Sequence, residues 1–303
     1  MNHHIPIMKD EVVDLLDIKS KGIYMDCTIG FGGHSLNILN KLDSKGYLIG
    51  MDLDPYALKE SKKKLKKHNN FSLHNQSYSA FPQILEKMGI EKVDGFLFDL
   101  GISSHQVDSE HRGFSYMKDS PLDMRFNNDD DNQLTAKDII NTISLERLVF
   151  AFKEYTNLKN PRFIARKLIE YRKTRKINST FDLRNAIKSI INSDSYKVLS
   201  QIFQAIRIIV NNEIDTIKKT LTYTLDYLKI GGRIAIISFH SVEDRIVKHF
   251  FKNQTIYKNN SYEIEYQNLN KKLKIITKKP VYETKTKNSR SRSAKLRVAE
   301  RIL

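Results

Sequence analysis

Short apolar runs alternate with amphipathic stretches along the first hundred residues. Residues 22–25, 47–51, 71–74 and 93–98 are compact apolar runs of strand length. Between them, residues 36–42, 55–67 and 81–88 carry apolar positions at helical spacing, and Pro55 suits a first helical turn. Strands alternating with helices predict an α/β fold, a doubly wound and mostly parallel sheet. Ligands of such sheets bind beyond the carboxyl ends of the strands. Asp26, Asp52 and Asp99 all close apolar runs, so three acids are expected around one crevice.

The alternation then stops. Residues 105–133 are polar, with Gly113, Pro121 and an acidic run at 129–131, and read as a long functional loop. From 135 to about 200 the signals are helical and basic, at 136–141, 145–153, 163–172 and 180–191, with no strand among them. A helical stretch inside an α/β pattern predicts an inserted domain. The α/β pattern resumes with one long amphipathic helix over 202–228, stopped by Gly231 and Gly232. A fifth strand at 233–238 and a helix at 242–252 follow. Residues 273–281 and 296–303 are expected to form a closing hairpin around the basic stretch 285–292. The expected domains are therefore 1–106 with 206–303, and an insertion at 107–205.

Composition narrows the partners. The formal net charge is +16 and the pI is about 9.6, which attracts polyanions such as nucleic acid. Abundant Lys, Asn and Ile fit a biased proteome equally well, so charge alone does not decide. The single cysteine, Cys27, permits no internal disulfide, points to a reducing compartment and reads as a small buried filler. No apolar run approaches the ~18 residues of a membrane span, and the first residues lack a signal-peptide pattern. A cytoplasmic protein without membrane contact is expected. The histidines at 3, 4, 34, 68 and 74 show no metal-ligand spacing, so no metal is expected. Monomer and homodimer both stay open.

The chemistry concentrates in Asp26-Cys-Thr-Ile-Gly-Phe-Gly-Gly-His-Ser35, a glycine turn between a strand and a helix. Such a turn lets backbone N–H groups face a ligand at a helix N-terminus. A pyrophosphate turn usually reads G-x-G-x-x-G without an acid at its mouth. Here the spacing is Gly30-x-Gly32-Gly33, and Asp26 leads in. A carboxylate repels a pyrophosphate and suits an ammonium group, as in S-adenosylmethionine. Asp52 is then placed to accept from two ribose hydroxyls. The bland alternative is a glycine loop that only turns the chain. The rival functions are an NAD-dependent oxidoreductase, a non-catalytic RNA-binding protein, and an enzyme of the same fold with another acceptor.

The motifs resemble, nearly end to end, those of the bacterial small-subunit ribosomal RNA (cytosine-N4) methyltransferases. The resemblance lies in His4-Ile-Pro-Ile, the glycine turn, Asp52-Leu-Asp-Pro55 and Asp99-Leu-Gly-Ile-Ser-Ser104. It continues through Gln106, Asp108, Arg112-Gly-Phe-Ser115, Pro121-Leu-Asp-Met-Arg125 and Phe203-Gln-Ala-Ile-Arg-Ile208 with Val210, Asn211 and Glu213. The stretches 238–247 and 290–301 complete it. It implies a Rossmann-like class I methyltransferase fold using S-adenosylmethionine, with Gly32, Gly33, His34, Asp52, Tyr78, Asp99 and Gln106 on the cofactor. It also implies that the insertion helps present ribosomal RNA, within the small subunit, and that the target is the N4 of a cytidine in the decoding region of 16S RNA. The chain departs from the family's pattern at His105, where proline is usual, and at Tyr78, where phenylalanine is common. It also lacks the usual Gly-Glu-Glu within 156–161.

Methyl transfer needs alignment of donor and acceptor, and an exocyclic amine needs help because its lone pair is delocalised. Many amino methyltransferases carry Asn/Asp-Pro-Pro-aromatic after the fourth strand; this chain has Asp99-Leu-Gly-Ile. Asp99 is the candidate catalytic residue. Phe239 and Phe114 are candidates to stack on a base that has left its own stack. His240 reads as a local hydrogen-bonding residue. Arg162, Arg166, Arg172, Lys173, Arg175, Lys176 and the 285–292 stretch are candidates for phosphate contact.

Overall fold

The computed structural model describes residues 6–191, 195–255, 272–283 and 292–303. The chain forms α1 (Lys9–Leu16), β1 (Ile23–Asp26), α2 (Gly33–Leu39), β2 (Tyr47–Met51), α3 (Pro55–Leu65), β3 (Phe71–His74), α4 (Phe81–Lys87) and β4 (Val93–Asp99). Six helices follow: α5 (Ser104–Asp108), α6 (Ala136–Thr142), α7 (Leu145–Tyr155), α8 (Pro161–Thr174), α9 (Thr180–Ile191) and α10 (Tyr196–Asn211). The chain ends with α11 (Glu213–Tyr227), β5 (Leu228–Ser238), α12 (Ser241–Asn253), β6 (Leu273–Ile275), β7 (Val281–Tyr282) and β8 (Lys295–Arg301). Two compact units result: Met1–Gly101 with Thr216–Leu303, and Ile102–Asp215.

The first unit is an α/β sheet in the order β3-β2-β1-β4-β5-β8-β6, with β7 also on β8. Strands β1 to β5 run parallel, and β8 is antiparallel to β5. Parallel strands covered on both faces are apolar throughout, and β4 is buried from Val93 to Phe98. One face carries Ile38, Leu39, Leu65 and Leu97 with α1, α2 and α3; the other carries Phe81, Phe96, Phe98 and Leu221 with α4, α11 and α12. Cys27 is buried, as its role as a filler requires, and burial pushes its thiol up. The strand order reverses between β1 and β4, which is where a doubly wound sheet opens its crevice.

The second unit is helical and closes its own core around Leu148, Phe152, Leu168, Leu183, Ile202 and Ile206. Its limits lie outside 107–205 because Ile102 packs against this core and Val210 is part of it. The residues expected to be a long loop hold one short helix, α5, and are firmly pinned. Arg112 donates to the carbonyls of Arg125 and Phe126, and Arg125 grips Asp123 with both forks. Asn211 accepts from Phe126 N and donates to the Met124 carbonyl.

Three expectations need correction. The single helix over 202–228 is two helices, because Asn212 sits in the left-handed region at φ 48° and ψ 38°. Arg207 clamps that break with a bidentate pair to Glu213, at 2.8 and 2.9 Å. Gly231 and Gly232 do not stop a helix. They lie within β5, where the pairing jumps from Val93↔Leu228 to Gly95↔Arg233 and Gly231 adopts φ 76°. The run 273–281 is not one strand of a hairpin either. It is two short strands on β8, separated around Pro280, which cannot donate to a ladder.

Asn212 gives a stability test. Asn212→Val should cost about 1–2 kcal/mol, because a β-branched residue is strained at positive φ, whereas Asn212→Gly should stay near wild type. Urea denaturation followed by circular dichroism measures both; equal losses for the two would contradict the left-handed break.

Candidate active site

Of three neighbouring strands, β1 and β4 end at Asp26 and Asp99, and Asp52 directly follows β2. Asp26 is fully buried, and its carboxylate accepts from Ser35 Oγ at 2.7 Å and from Thr28 N at 3.3 Å. Its oxygens close the glycine turn onto α2. Asp52 accepts from Gly30 N at 2.8 Å and from Asp54 N at 2.9 Å. It ties the turn to the end of β2. A carboxylate has about four lone-pair sites, so acceptor capacity remains at Asp52. Asn75 steadies this corner by donating to the carbonyls of Asp52 and Leu53.

Gly32 caps α2 at φ 71°, with no side chain closing the helix N-terminus. A Cβ there would also stand 3.2 Å from Ser61 Cβ on α3. Gly33 opens the helix against the Pro6 ring, 3.1 Å from where its Cβ would be. The opening N–H groups of a helix have no intrahelical partner, so this end suits an electron-rich ligand group. His34 is buried on α2 with Nε2 3.8 Å from Asp99 Oδ2.

Asp99 is held at its backbone and left open at its side chain. Its N–H donates to Thr28 Oγ1 at 2.6 Å, and Leu100 N donates to the Ile237 carbonyl. Its Oδ1 is buried with no hydrogen-bond partner among the described residues. Gly101 follows at φ 100°, where a Cβ would meet the Phe239 ring at 3.3 Å. Phe239 is held in turn: its N–H and that of His240 donate to Glu243 Oε2, at 2.8 and 3.3 Å. His240 caps α12, accepting from Glu243 N through Nδ1, in keeping with its reading as a local hydrogen-bonding residue. Sequence reasoning missed Thr28, Ser35 and Glu243. Only Glu243 left a signal, three residues after a cap position.

Tyr78 lies edge-on to Phe98, 5.7 Å between centroids, near the end of β3. Gln106 belongs to the helical unit, where its side chain closes a capping box with Ser103. Phe114 is in the helical core, stacked on Phe126, and is too buried for base stacking. Arg172 is structural: it donates to the carbonyls of Ile140 and Ile143. Residues 285–291 lie outside the described residues.

Burial, with Asp26 and Glu243 nearby, pushes the Asp99 carboxyl up to about 8. Burial pushes Asp26 and Asp52 up to about 6, against the pull of their N–H and hydroxyl donors. All three bind protons more tightly folded than unfolded. The stability they contribute is complete below about pH 4, and it is lost through pH 6 for two of them and through pH 8 for Asp99. The ligand-free protein should therefore lose melting temperature between about pH 4 and pH 8, and Asp99→Asn should lose less, above all from pH 6 to 8. Parallel melting curves across that range for both proteins would contradict the burial of this carboxyl.

A profile of the MraW methylase family matches residues 1–302. A relative in Caldicellulosiruptor bescii, named ribosomal RNA small subunit methyltransferase H, is 44% identical over 309 residues, with all of both chains covered. Relatives of the same name in Mycoplasmopsis synoviae and Clostridium botulinum are each 43% identical, with 99% of both chains covered. A whole-length family match joins a sheet whose switch point carries an uncapped glycine turn and an unpartnered carboxylate oxygen. The chain belongs to the MraW methylase family and is an S-adenosylmethionine-dependent methyltransferase.

Proposed function

We propose that this chain methylates the N4 of a cytidine in the decoding region of 16S ribosomal RNA, within the small subunit, in the cytoplasm. The observation that carries this reading is the full-length similarity to relatives named ribosomal RNA small subunit methyltransferase H. The choice of cytosine N4 rests on the motif resemblance, above all the block from Asp99 to Ser104. No described helix is long and apolar enough to cross a membrane. The helical unit, in this reading, presents the RNA.

The crevice residues fit the methyl donor. The uncapped start of α2 suits its carboxylate, the free lone pairs of Asp52 suit a ribose diol, and the Asp99 oxygen suits a group that carries N–H or positive charge. Bound S-adenosylmethionine supplies an electrophilic methyl group on a sulfonium. Gly32, Gly33 and His34 hold the methionine end. Asp52 would orient the ribose, and Tyr78 would offer its ring to the adenine.

Asp99 accepts a hydrogen bond from the cytosine amine, which returns electron density to its nitrogen. Methylation leaves a proton in excess on that nitrogen, and the Asp99 carboxylate takes it. A ligand that brings positive charge beside Asp99 would favour the ionised carboxylate that this role requires. The half-buried Phe239 ring, packed on Gly101, offers the base a flat wall that the sequence does not supply at position 102.

Two variants separate binding from chemistry. Asp52→Ala should weaken S-adenosylmethionine binding about 10-fold or more, since it loses hydrogen bonds to the ribose and loosens Gly30. Asp99→Ala should lower the methylation rate about 10²–10⁴-fold, the usual reach of a general base. Titration calorimetry and single-turnover assays read the two, and full activity in Asp99→Ala would remove Asp99 from the mechanism.

The substrate is tested with labelled S-adenosylmethionine, unmodified small subunits and naked small-subunit RNA. After digestion, mass spectrometry should find the label in N4-methylcytidine. Label in any other nucleoside would overturn the assignment.

A further inference from the structure

Arginine is distributed unevenly in this chain. The first 111 residues hold thirteen lysines and no arginine, whereas four of the fifteen arginines fall at 162, 166, 172 and 175. A compositional bias toward lysine substitutes it wherever charge alone suffices. Arginine persists where a planar fork of donors is needed. The fold shows this for several arginines, while Arg147 and Arg245, elsewhere in the chain, are exposed without such a bond among the described residues. Arg112, Arg125, Arg207, Arg233 and Arg297 each hold a carboxylate or a carbonyl. So does Arg172 within the helical unit.

Arg162, Arg166 and Arg175 have no such internal duty. All three are exposed. Neither Arg162 nor Arg175 forms an ion pair among the described residues, and Arg166 reaches Glu170 only at 3.7 Å. The buried face of α8 is Ile164, Ala165 and Leu168, so the arginines at 162 and 166 lie one turn apart on the opposite side. Lys173 and Lys176 extend the charge, and Glu170 is the one acid on α8, already engaged by Lys167 at 2.8 Å. Phe163 stands 44% exposed beside Arg162. Phe163 also lies three residues before Arg166, one helical turn away, so an exposed ring and a guanidinium share this surface.

We propose that this face of α8, with the turn after it, binds the sugar-phosphate backbone of the RNA substrate and that Phe163 stacks on one of its unpaired bases. The proposal rests on ribosomal RNA as the substrate and adds where it is gripped. Guanidinium forks match phosphate oxygens, and an exposed ring among them matches a base. An acidic protein would use the same charges but would leave Phe163 without a purpose.

The test is RNA binding by fluorescence anisotropy, with labelled oligouridine and naked small-subunit RNA across a range of salt. The triple variant Arg162→Gln, Arg166→Gln, Arg175→Gln should bind at least ~10-fold more weakly at low salt, and its log–log salt slope should fall by about 2. The corresponding triple lysine variant should keep the slope. Phe163→Ala should weaken binding about 5-fold or more without changing the slope. Unchanged S-adenosylmethionine affinity shows that each variant is folded. A glutamine triple with wild-type slope and affinity for naked RNA would overturn the proposal, as would a defect confined to assembled subunits. Wild-type methylation of small-subunit RNA is scored separately, so a wrong substrate and a wrong binding face give different results.

Discussion

Three carboxylates lie at the ends of three adjacent strands, and such groups are costly to bury without donors. The glycine turn is the answer to that cost. Its backbone N–H groups at Thr28 and Gly30, with the Ser35 hydroxyl, satisfy Asp26 and Asp52. The same bonds fix the turn against β1, β2 and α2. Thr28 then reaches across to the amide of Asp99 and sets the third strand end. The turn is thus a hydrogen-bonded hub rather than a flexible loop. What it leaves unsatisfied, the start of α2 and one oxygen of Asp99, is where a ligand can act.

Most of the sheet was legible in the sequence because buried parallel strands read as short apolar runs, and Asp54 ahead of Pro55 marks a helix start. The three strand-end acids were found for the same reason. The errors came where tertiary contacts override local pattern. Residues 202–228 keep helical periodicity through Asn212, so periodicity could not reveal the break that Arg207 and Glu213 hold. Gly231 and Gly232 carry the usual stop signal, but their backbone freedom serves a bulge in β5. Asp26 has the chemistry of a ligand contact, and the fold adds that each of its oxygens also accepts from the chain itself. Thr28 and Ser35 gave no signal, since a hydroxyl in a turn is common and its long-range partner is not written nearby.

The helical unit shows the same division between motif and role. Arg112, Arg125 and Asn211 fall in family-like motifs, yet each pins backbone, and Glu213 in its motif holds the Arg207 side chain. They hold a polar stretch that would otherwise be a long loop. The residues of this unit that face outward, on α8, carry no such bonds. Motif content alone does not distinguish the two, whereas the hydrogen bonds do.

The insertion also governs the order in which the protein can be built. The helical unit is contiguous in sequence, from 102 to 215, and closes its core from residues within that span. The sheet is not: β4 gains its neighbour β5 only after that whole unit, and β5 waits for β8 at the end of the chain. Long closures delay pairing, because their entropy is lost before contacts compensate. During synthesis the helical unit therefore folds beside a half-finished sheet, with one edge of β4 still open. The donor crevice, bounded by Asp99 on β4 and Phe239 after β5, is among the last features of the molecule to form.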